Sequence, residues 1–221
     1  MGASITGFAK VHTLSYGSCV TDRLRLTPRD WIEAAFRALA AGGLSAVRIE
    51  RLARDLGATK GSFYWHYKDL QALLDSVVSC WVILATEQSI SNVNAKDLIP
   101  AAALAALIEQ ISEVPDVAYG GVAIEPAIRE WARFDDKVSD IVVQVDARRI
   151  DYVADLLTRC GLSQRDAAEQ AQTFYAIVIG VEHLRLVSPT DMSKLLKTFV
   201  SQVLPPEERR AILTANPRPV P

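Results

Sequence analysis

The feature that most constrains this chain is a glycine set between two short helical segments. Ile49, Leu52, Ala53 and Leu56 fall at i, i+3, i+4 and i+7, the spacing that lines four apolar side chains along one helix face. Gly57-Ala58 breaks that pattern, and Thr59 supplies a side-chain cap for a third helix running through Lys60-Gly61-Ser62-Phe63-Tyr64-Trp65-His66-Tyr67. Upstream, Thr27-Pro28-Arg29-Asp30 places a capping threonine, a proline at the first helical position and an acid that can bond back. Ile32, Ala35, Phe36 and Leu39 then predict one buried face, ended by Gly42-Gly43. Asp69 caps a fourth helix through Leu70, Leu73, Leu74, Val77, Val78 and Trp81. Three helices with a tight turn between the second and third predict a helix-turn-helix unit.

Beyond it the periodicity stays helical. Helices are predicted over 100–113, 124–134, 137–159 and from a second capping box at Ser163-Gln164-Arg165-Asp166 to about Leu186. Asn92-Val93-Asn94 reads as a loop, and Pro115 and Gly120-Gly121 as breaks. Pro189-Thr190 is expected to open the last helix, with Pro205-Pro206 stopping it. The fold class is therefore all-α, an N-terminal three-helix helix-turn-helix domain followed by a larger helical domain. The expected boundaries are an N-terminal arm over 1–26, the helix-turn-helix domain over 27–74, a ligand-binding and dimerisation domain over 75–206, and a C-terminal tail over 207–221. The proline-rich end, Asn216 to Pro221, is expected to be disordered.

Charge is unevenly distributed. Residues 21–70 hold nine Lys/Arg against six Asp/Glu, whereas residues 71–221 hold fourteen against twenty. A basic front on an acidic body suits a module that meets a polyanion. Cys19, Cys80 and Cys160 are far apart and fit neither a disulfide framework nor a zinc-ligand spacing, which favours a reducing cytoplasm. No uncharged apolar run approaches a membrane span, and the first twenty residues make a poor signal peptide. His12, His66 and His183 lack nearby ligand partners, and no nucleophile elbow, HExxH, phosphate-binding loop or dinucleotide fingerprint occurs. No enzyme activity, cofactor or metal is expected.

The third helix carries the functional signal. Phe63 and Tyr67, four apart, suit burial, which leaves Lys60, Gly61, Ser62, Tyr64, Trp65 and His66 outside. Tyrosine and histidine tips can donate to phosphates, apolar ring edges can meet thymine methyls, and Gly61-Ser62 would allow a close approach to the groove. Packing of these rings against the fourth helix or the body is the competing reading, strongest for Trp65.

Over Thr27 to about Leu74 the chain resembles the DNA-binding domain of the TetR family, above all in Leu52-Ala53-Arg54-Asp55-Leu56-Gly57-Ala58-Thr59-Lys60-Gly61-Ser62-Phe63-Tyr64-Trp65-His66-Tyr67. The resemblance implies a transcriptional regulator, a ligand-released repressor on a palindromic operator, with no membrane partner. Thr59, Lys60, Tyr64 and His66 fall on motif positions that commonly touch DNA, and Arg48 falls where the second helix begins beside the backbone. The family usually carries a phosphate-binding lysine where this chain has Leu70; Lys68 or the helix N-terminus itself would have to replace it.

The resemblance also implies a homodimer built on the last two helices and an effector cavity in the body. Phe174, Ile177, Val178, Val181, Leu195, Leu196, Phe199 and Val203 offer the apolar stripes for the dimer. Trp81, Trp131, Phe134, Tyr152 and Tyr175 are candidates to line a largely apolar cavity for a small effector, with Glu125, Arg129 and His183 as polar anchors. The same aromatics could equally be plain core. Arg148-Arg149 reads as pairing within its own helix with Asp151 and Asp155 rather than as an anion site.

Overall fold

The computed structural model describes residues 26–214, and every regular element among them is helical. The first helix, α1 (Pro28–Gly42), starts as its sequence requires. The Thr27 amide and hydroxyl donate to the Asp30 carboxylate at 2.6 and 2.7 Å, holding that carboxyl below its usual range. A cap of this kind contributes about 1 kcal/mol. Gly43, at φ +65°, ends the helix while its amide donates to the Leu39 carbonyl at 2.8 Å.

α2 (Ile49–Asp55) and α3 (Lys60–Tyr64) pack on α1 around aromatic rings. Trp31 meets Phe63 edge-on at 5.3 Å, Phe63 stacks on Tyr67 at 5.7 Å, and the Tyr67 hydroxyl donates to the Pro28 carbonyl at 3.2 Å. Trp31 is fully enclosed while Ile32 is only half-buried. The buried arc of α1 is thus wider than the predicted stripe, because helices pack on it from several sides.

α4 (Leu70–Val82) is capped by Asp69, whose carboxylate accepts from the Ala72 amide at 2.8 Å. The loop expected at residues 92–94 is instead helical. The chain runs on through a π-helical turn, Ile83–Glu87, into α5 (Gln88–Asn94), making one rod over Leu70–Asn94. Tertiary contacts override the weak helix propensity of Asn92-Val93-Asn94: Val93 is buried, and Asn94 Oδ1 accepts from the Tyr152 hydroxyl at 2.8 Å. By length and composition alone, with a mean hydropathy of 1.4, this rod could cross a membrane. Here it joins two cores, setting Leu73, Val77 and Trp81 into one and Ile90 and Val93 into the other.

The body follows as α6 (Pro100–Ser112), two 3₁₀ turns (Val117–Tyr119 and Gly121–Ala123), α7 (Ile124–Ala132), α8 (Asp136–Arg159), α9 (Gln164–Leu184), α10 (Met192–Val203) and α11 (Pro206–Thr214). α8 and α9 are the longest pair and pack along each other, joined by a short turn at Gly161, φ +95°. The last predicted helix begins later than Pro189-Thr190, because Asp191 is the better cap and accepts from the Lys194 amide at 2.9 Å. Pro205-Pro206 does end α10, but Pro206 also occupies the first position of α11, where a missing amide costs nothing.

Two of the expected boundaries therefore need correction. Residues 207–214 are a helix packed on α6 and α10 with Ile212 fully buried, and only the stretch beyond, with the N-terminal arm before residue 26, lies outside the described residues. The break at 74/75 is not a break between cores. The cluster around Trp31, Phe36 and Phe63 continues through Val77 and Trp81 of α4 into Ile128 and Trp131 of α7 and Val138 and Val142 of α8. The second cluster gathers Leu104, Ile108, Leu156, Leu157, Phe174 and Leu196.

If residues 207–214 were a tail, truncating Ile212 would change nothing. Packed as they are, Ile212→Ala is expected to lower stability by about 2–4 kcal/mol, read as a shifted midpoint in urea unfolding.

Candidate functional site

The three-helix head presents α3 outward. Thr59 caps it, its hydroxyl accepting from the Ser62 amide at 3.2 Å. Phe63 and Tyr67 are buried as their spacing predicts, and Tyr64 is 57 % and Trp65 84 % exposed. Trp65 does not pack on α4 or the body, so the core reading of that ring fails. Tyr64 leans edge-on against Phe63 at 5.3 Å. Gly61 and Lys60 are exposed, Ser62 and His66 are half-buried, and Lys68 stands exposed just before the Asp69 cap. Lys60 forms an ion pair with Glu50, which raises the lysine pKa and lowers that of the glutamate. Arg48 is exposed at the start of α2, its Nε donating to the Ser45 carbonyl at 3.0 Å. Leu70 is half-buried, and the Asp69 carboxylate already occupies an amide at the start of α4.

Behind the head lies a cavity of about 590 Å³, walled by α1, α4, α6, α7, α8 and α9 and by the 3₁₀ turns. Of the eight candidates from the sequence, Trp81, Glu125, Tyr152 and Tyr175 line it. Arg129 stands behind that wall, bonded to Glu125 and Tyr175. Three do not reach it. Trp131 is packed in the head-side core, its indole N–H donating to Asp135 at 3.1 Å. Phe134 is 79 % exposed and lies against the Arg133 guanidinium. His183 faces outward from α9. Each sits at apolar or polar spacing that the sequence cannot distinguish from cavity spacing, because the deciding rotation comes from packing.

One wall of the cavity is a buried charge network. Arg149 grips the Glu125 carboxylate with both terminal nitrogens, at 3.0 and 3.3 Å, donates to Thr86 at 2.9 Å and lies over the Trp81 ring. The Trp81 indole N–H donates to Glu125 at 3.1 Å. Arg129 bridges Glu125 and Asp146 at 2.9 and 2.7 Å, and Tyr175 donates to Asp146 at 2.7 Å. Burial works against the charge of both arginines, but their carboxylate partners outweigh it and hold them above their ordinary range. Asp146 is lowered on balance: burial opposes its charge, and the bonds from Arg129 and Tyr175 overcome that. Arg149 therefore does not pair within its own helix, and Arg148 reaches Glu87 at 3.5 Å instead. Its role escaped the sequence because its partners come from α4, α7 and α9.

Glu182, on α9, also lines the cavity and was not singled out by the sequence. Its Oε2 is buried without a hydrogen-bond partner. Burial first, then the neighbouring charge of Glu125, pushes its carboxyl up to about 8.

The expected dimer stripes divide. Phe174, Val178, Val181 and Leu196 are buried inside the protomer, where they complete the body core. Ile177, Phe199 and Val203 are half-buried, and Leu195 is 43 % exposed. An apolar stripe read from sequence does not distinguish a core face from an interface, and most of this one serves the core.

Because the Glu182 carboxyl is higher in the fold than its ordinary 4.5, folding favours its protonated form. Stability should fall as pH rises from about 5 to 8, then level off. Glu182→Gln should flatten that slope and be more stable than the parent at pH 8.5 in thermal unfolding; an unchanged slope would mean the carboxyl is not desolvated.

Residues 32–77 match the family described as bacterial regulatory proteins, tetR family. None of the curated proteins matches the chain. Among solved structures, a transcriptional regulator from Rhodococcus sp. Rha1 is similar at 16 % identity, with 80 % of this chain and 96 % of that one covered and a TM-score of 0.64. A regulator from Saccharomonospora viridis, solved in complex with choline, is 19 % identical over 80 % of this chain and 96 % of its own, with a TM-score of 0.69. SmeT, the repressor of the Stenotrophomonas maltophilia multidrug efflux pump SmeDEF, is 19 % identical over 90 % of this chain and 100 % of its own, with a TM-score of 0.62. At these identities the likeness is one of fold. Residues 32–77 thus carry a module of the tetR family of bacterial regulatory proteins, and the described residues share the fold of these regulators.

Proposed function

We propose that this protein is a repressor that binds a palindromic operator as a homodimer and is released from it by a small effector held in the body. The observation that carries the DNA reading is the outward face of α3. Tyr64 and Trp65 stand in solvent beside Thr59, Lys60, Gly61, Ser62 and His66, with Arg48 and Lys68 exposed on either side. Large rings left in water on a short helix are costly unless something covers them, and a major groove offers phosphates to their tips and thymine methyls to their edges. Arg48, Lys60 and Lys68 would supply phosphate contacts. Such a protein works in the cytoplasm, where its DNA is.

Release follows from how closely the cavity adjoins the head. Phe36 of α1 is both a core residue of the head and part of the cavity wall. Its ring meets Tyr119 edge-on at 5.7 Å, and Tyr119 lies under the Arg29 guanidinium at 5.7 Å. Gly120, at φ +92°, lets the turn press on α1, since a Cβ there would come within 3.2 Å of Ala40. An effector that reshapes the turn therefore tilts α1 and changes the separation of two heads, favouring the arrangement that no longer fits successive grooves. The S. viridis relative with choline and SmeT support the reading that this fold holds small molecules and represses.

For the dimer, exposed Ala176, Gly180 and Leu184 fall at i, i+4 and i+8 on α9, and a Cβ on Gly180 meets open space. Small residues in that row allow close helix approach. Gly180→Arg is expected to give a folded monomer in light scattering with circular dichroism unchanged; a surviving dimer would move the interface elsewhere.

DNA reading is tested with a fluorescent duplex from the chain's own upstream region, titrated against salt. Tyr64→Ala/Trp65→Ala should weaken selective binding at least about tenfold, and Lys68→Ala should weaken all sequences alike and reduce the salt slope by about one. Unselective binding that the double variant keeps would overturn the regulator reading at this site.

A further inference from the structure

The cavity has an unbalanced charge that its own residues do not answer. Glu125 and Arg149 on its wall are fully engaged with each other and with Trp81, Arg129, Thr86 and Tyr175. Arg185, the other guanidinium on the lining, is held by backbone: Nε donates to the Thr190 carbonyl and Nη2 to that of Ser112, both at 3.1 Å. Asp116 caps its own turn, accepting from the Ala118 amide at 2.8 Å. Against the one charge of Arg185, the rest of the lining is acidic. Glu182 is half-buried, its Oε2 enclosed without a partner, and Glu113 is an exposed residue of the same lining. Phe36 and Phe174 add apolar ring surface to the same lining.

We propose that the effector of this cavity is a monovalent organic cation with an apolar body, its charged nitrogen set against the Glu182 carboxylate. The proposal rests on the effector-cavity reading given above and deepens it by naming the ligand class. A half-buried carboxyl with no cation bonded to it, on the wall of a largely apolar space, is the group that gains most from an incoming positive charge. An anion would meet Glu182 and Glu113, against a single guanidinium, Arg185, whose Nε and Nη2 are already given to backbone carbonyls. A wholly apolar ligand would pack on the rings and leave the Glu182 carboxyl without a counter-charge. The acids at the edge also raise the local concentration of cations.

Binding is then linked to protonation. In the empty cavity burial and the Glu125 charge keep the Glu182 proton on, while Arg129, Arg149 and Arg185 oppose them. A quaternary ammonium, which has no proton of its own, displaces that proton on entry, so its affinity rises with pH up to the titration of Glu182.

The test is calorimetric titration of the full chain with three probes of one shape: benzyltrimethylammonium, its uncharged carbon isostere neopentylbenzene, and phenylmethanesulfonate. The ammonium is expected to bind at least tenfold more tightly than either of the others at pH 7.5. Its affinity should rise several-fold from pH 6 to 7.5, and Glu182→Gln should remove both the preference and the pH dependence. The comparison of probes and the pH series use the unaltered protein, so they stand even if the variant folds poorly. Equal or tighter binding of the isostere or the sulfonate overturns the cation proposal and leaves the effector cavity intact. Binding of none of the three, at any pH, overturns the proposal and counts against the cavity reading with it. A preference for the ammonium that Glu182→Gln keeps, in a variant with parental thermal stability, overturns the role of Glu182.

Discussion

The rest of the body is arranged around the carboxylate of Glu125. It accepts from the Trp81 indole, from Arg129 and from both ends of the Arg149 guanidinium, while Arg129 also holds Asp146. An unpaired charge at that depth costs several kcal/mol, and removing one partner of such a set typically costs about 3–5 kcal/mol. Two arginines against two carboxylates leave the network neutral, so none of the four can move alone. Since the members lie on α4, α7, α8 and α9, their mutual geometry sets the rotation of four helices at once. The π-helical turn belongs to this constraint. It lies where Thr86 must meet Arg149, and extra-residue turns of that kind often mark functional positions in long helices.

The network also fixes where head and body meet. It lies at the junction of the two apolar cores: Trp81 belongs to the head cluster, and Tyr175 belongs to the body cluster. The head is therefore not a bead on a linker. Its first helix touches α4, α7 and the turns beside the cavity, and Phe36 is shared by the core and the cavity wall. A change in cavity shape has a short, packed route to α1, with no flexible segment between them to absorb it.

Local chemistry explains why the head was legible and the body less so. Thr27 with Asp30, Thr59 with Ser62 and Asp69 with Ala72 are contacts within three residues, and Phe63 with Tyr67 lies within four, so spacing alone predicts them. The role of Arg149 is set by partners from 24 to 68 residues away, and the charge that pushes Glu182 up, Glu125, lies 57 residues from it. Periodicity correctly marked which faces of α9 and α10 are apolar. It could not say that Phe174, Val178, Val181 and Leu196 would be taken up inside the protomer, because the helices that cover them, α8 and α10 for α9 and α6, α9 and α11 for α10, are set by packing and not by spacing. Trp131 and Phe134 differ by less than one turn, yet one is enclosed and the other bare.

The unpartnered oxygen of Glu182 sets the scale on which this fold can respond. Leaving a buried acceptor unsatisfied costs about 1–3 kcal/mol, and the coupling between two sites of an allosteric protein is typically about 1–3 kcal/mol as well. Satisfying one group can thus supply the whole of a regulatory free energy. It does so only if the group is satisfied better in one arrangement of the head than in the other, since a ligand with equal affinity for both shifts nothing. Glu182 meets that condition through its neighbours. It lies on α9 and senses Glu125, Arg129 and Arg149, the same charges that hold α7 and α8 against the head-side core. A charge arriving beside Glu182 is felt by the network that positions the head, and this electrostatic proximity gives the cavity leverage over α1 that apolar filling alone would lack.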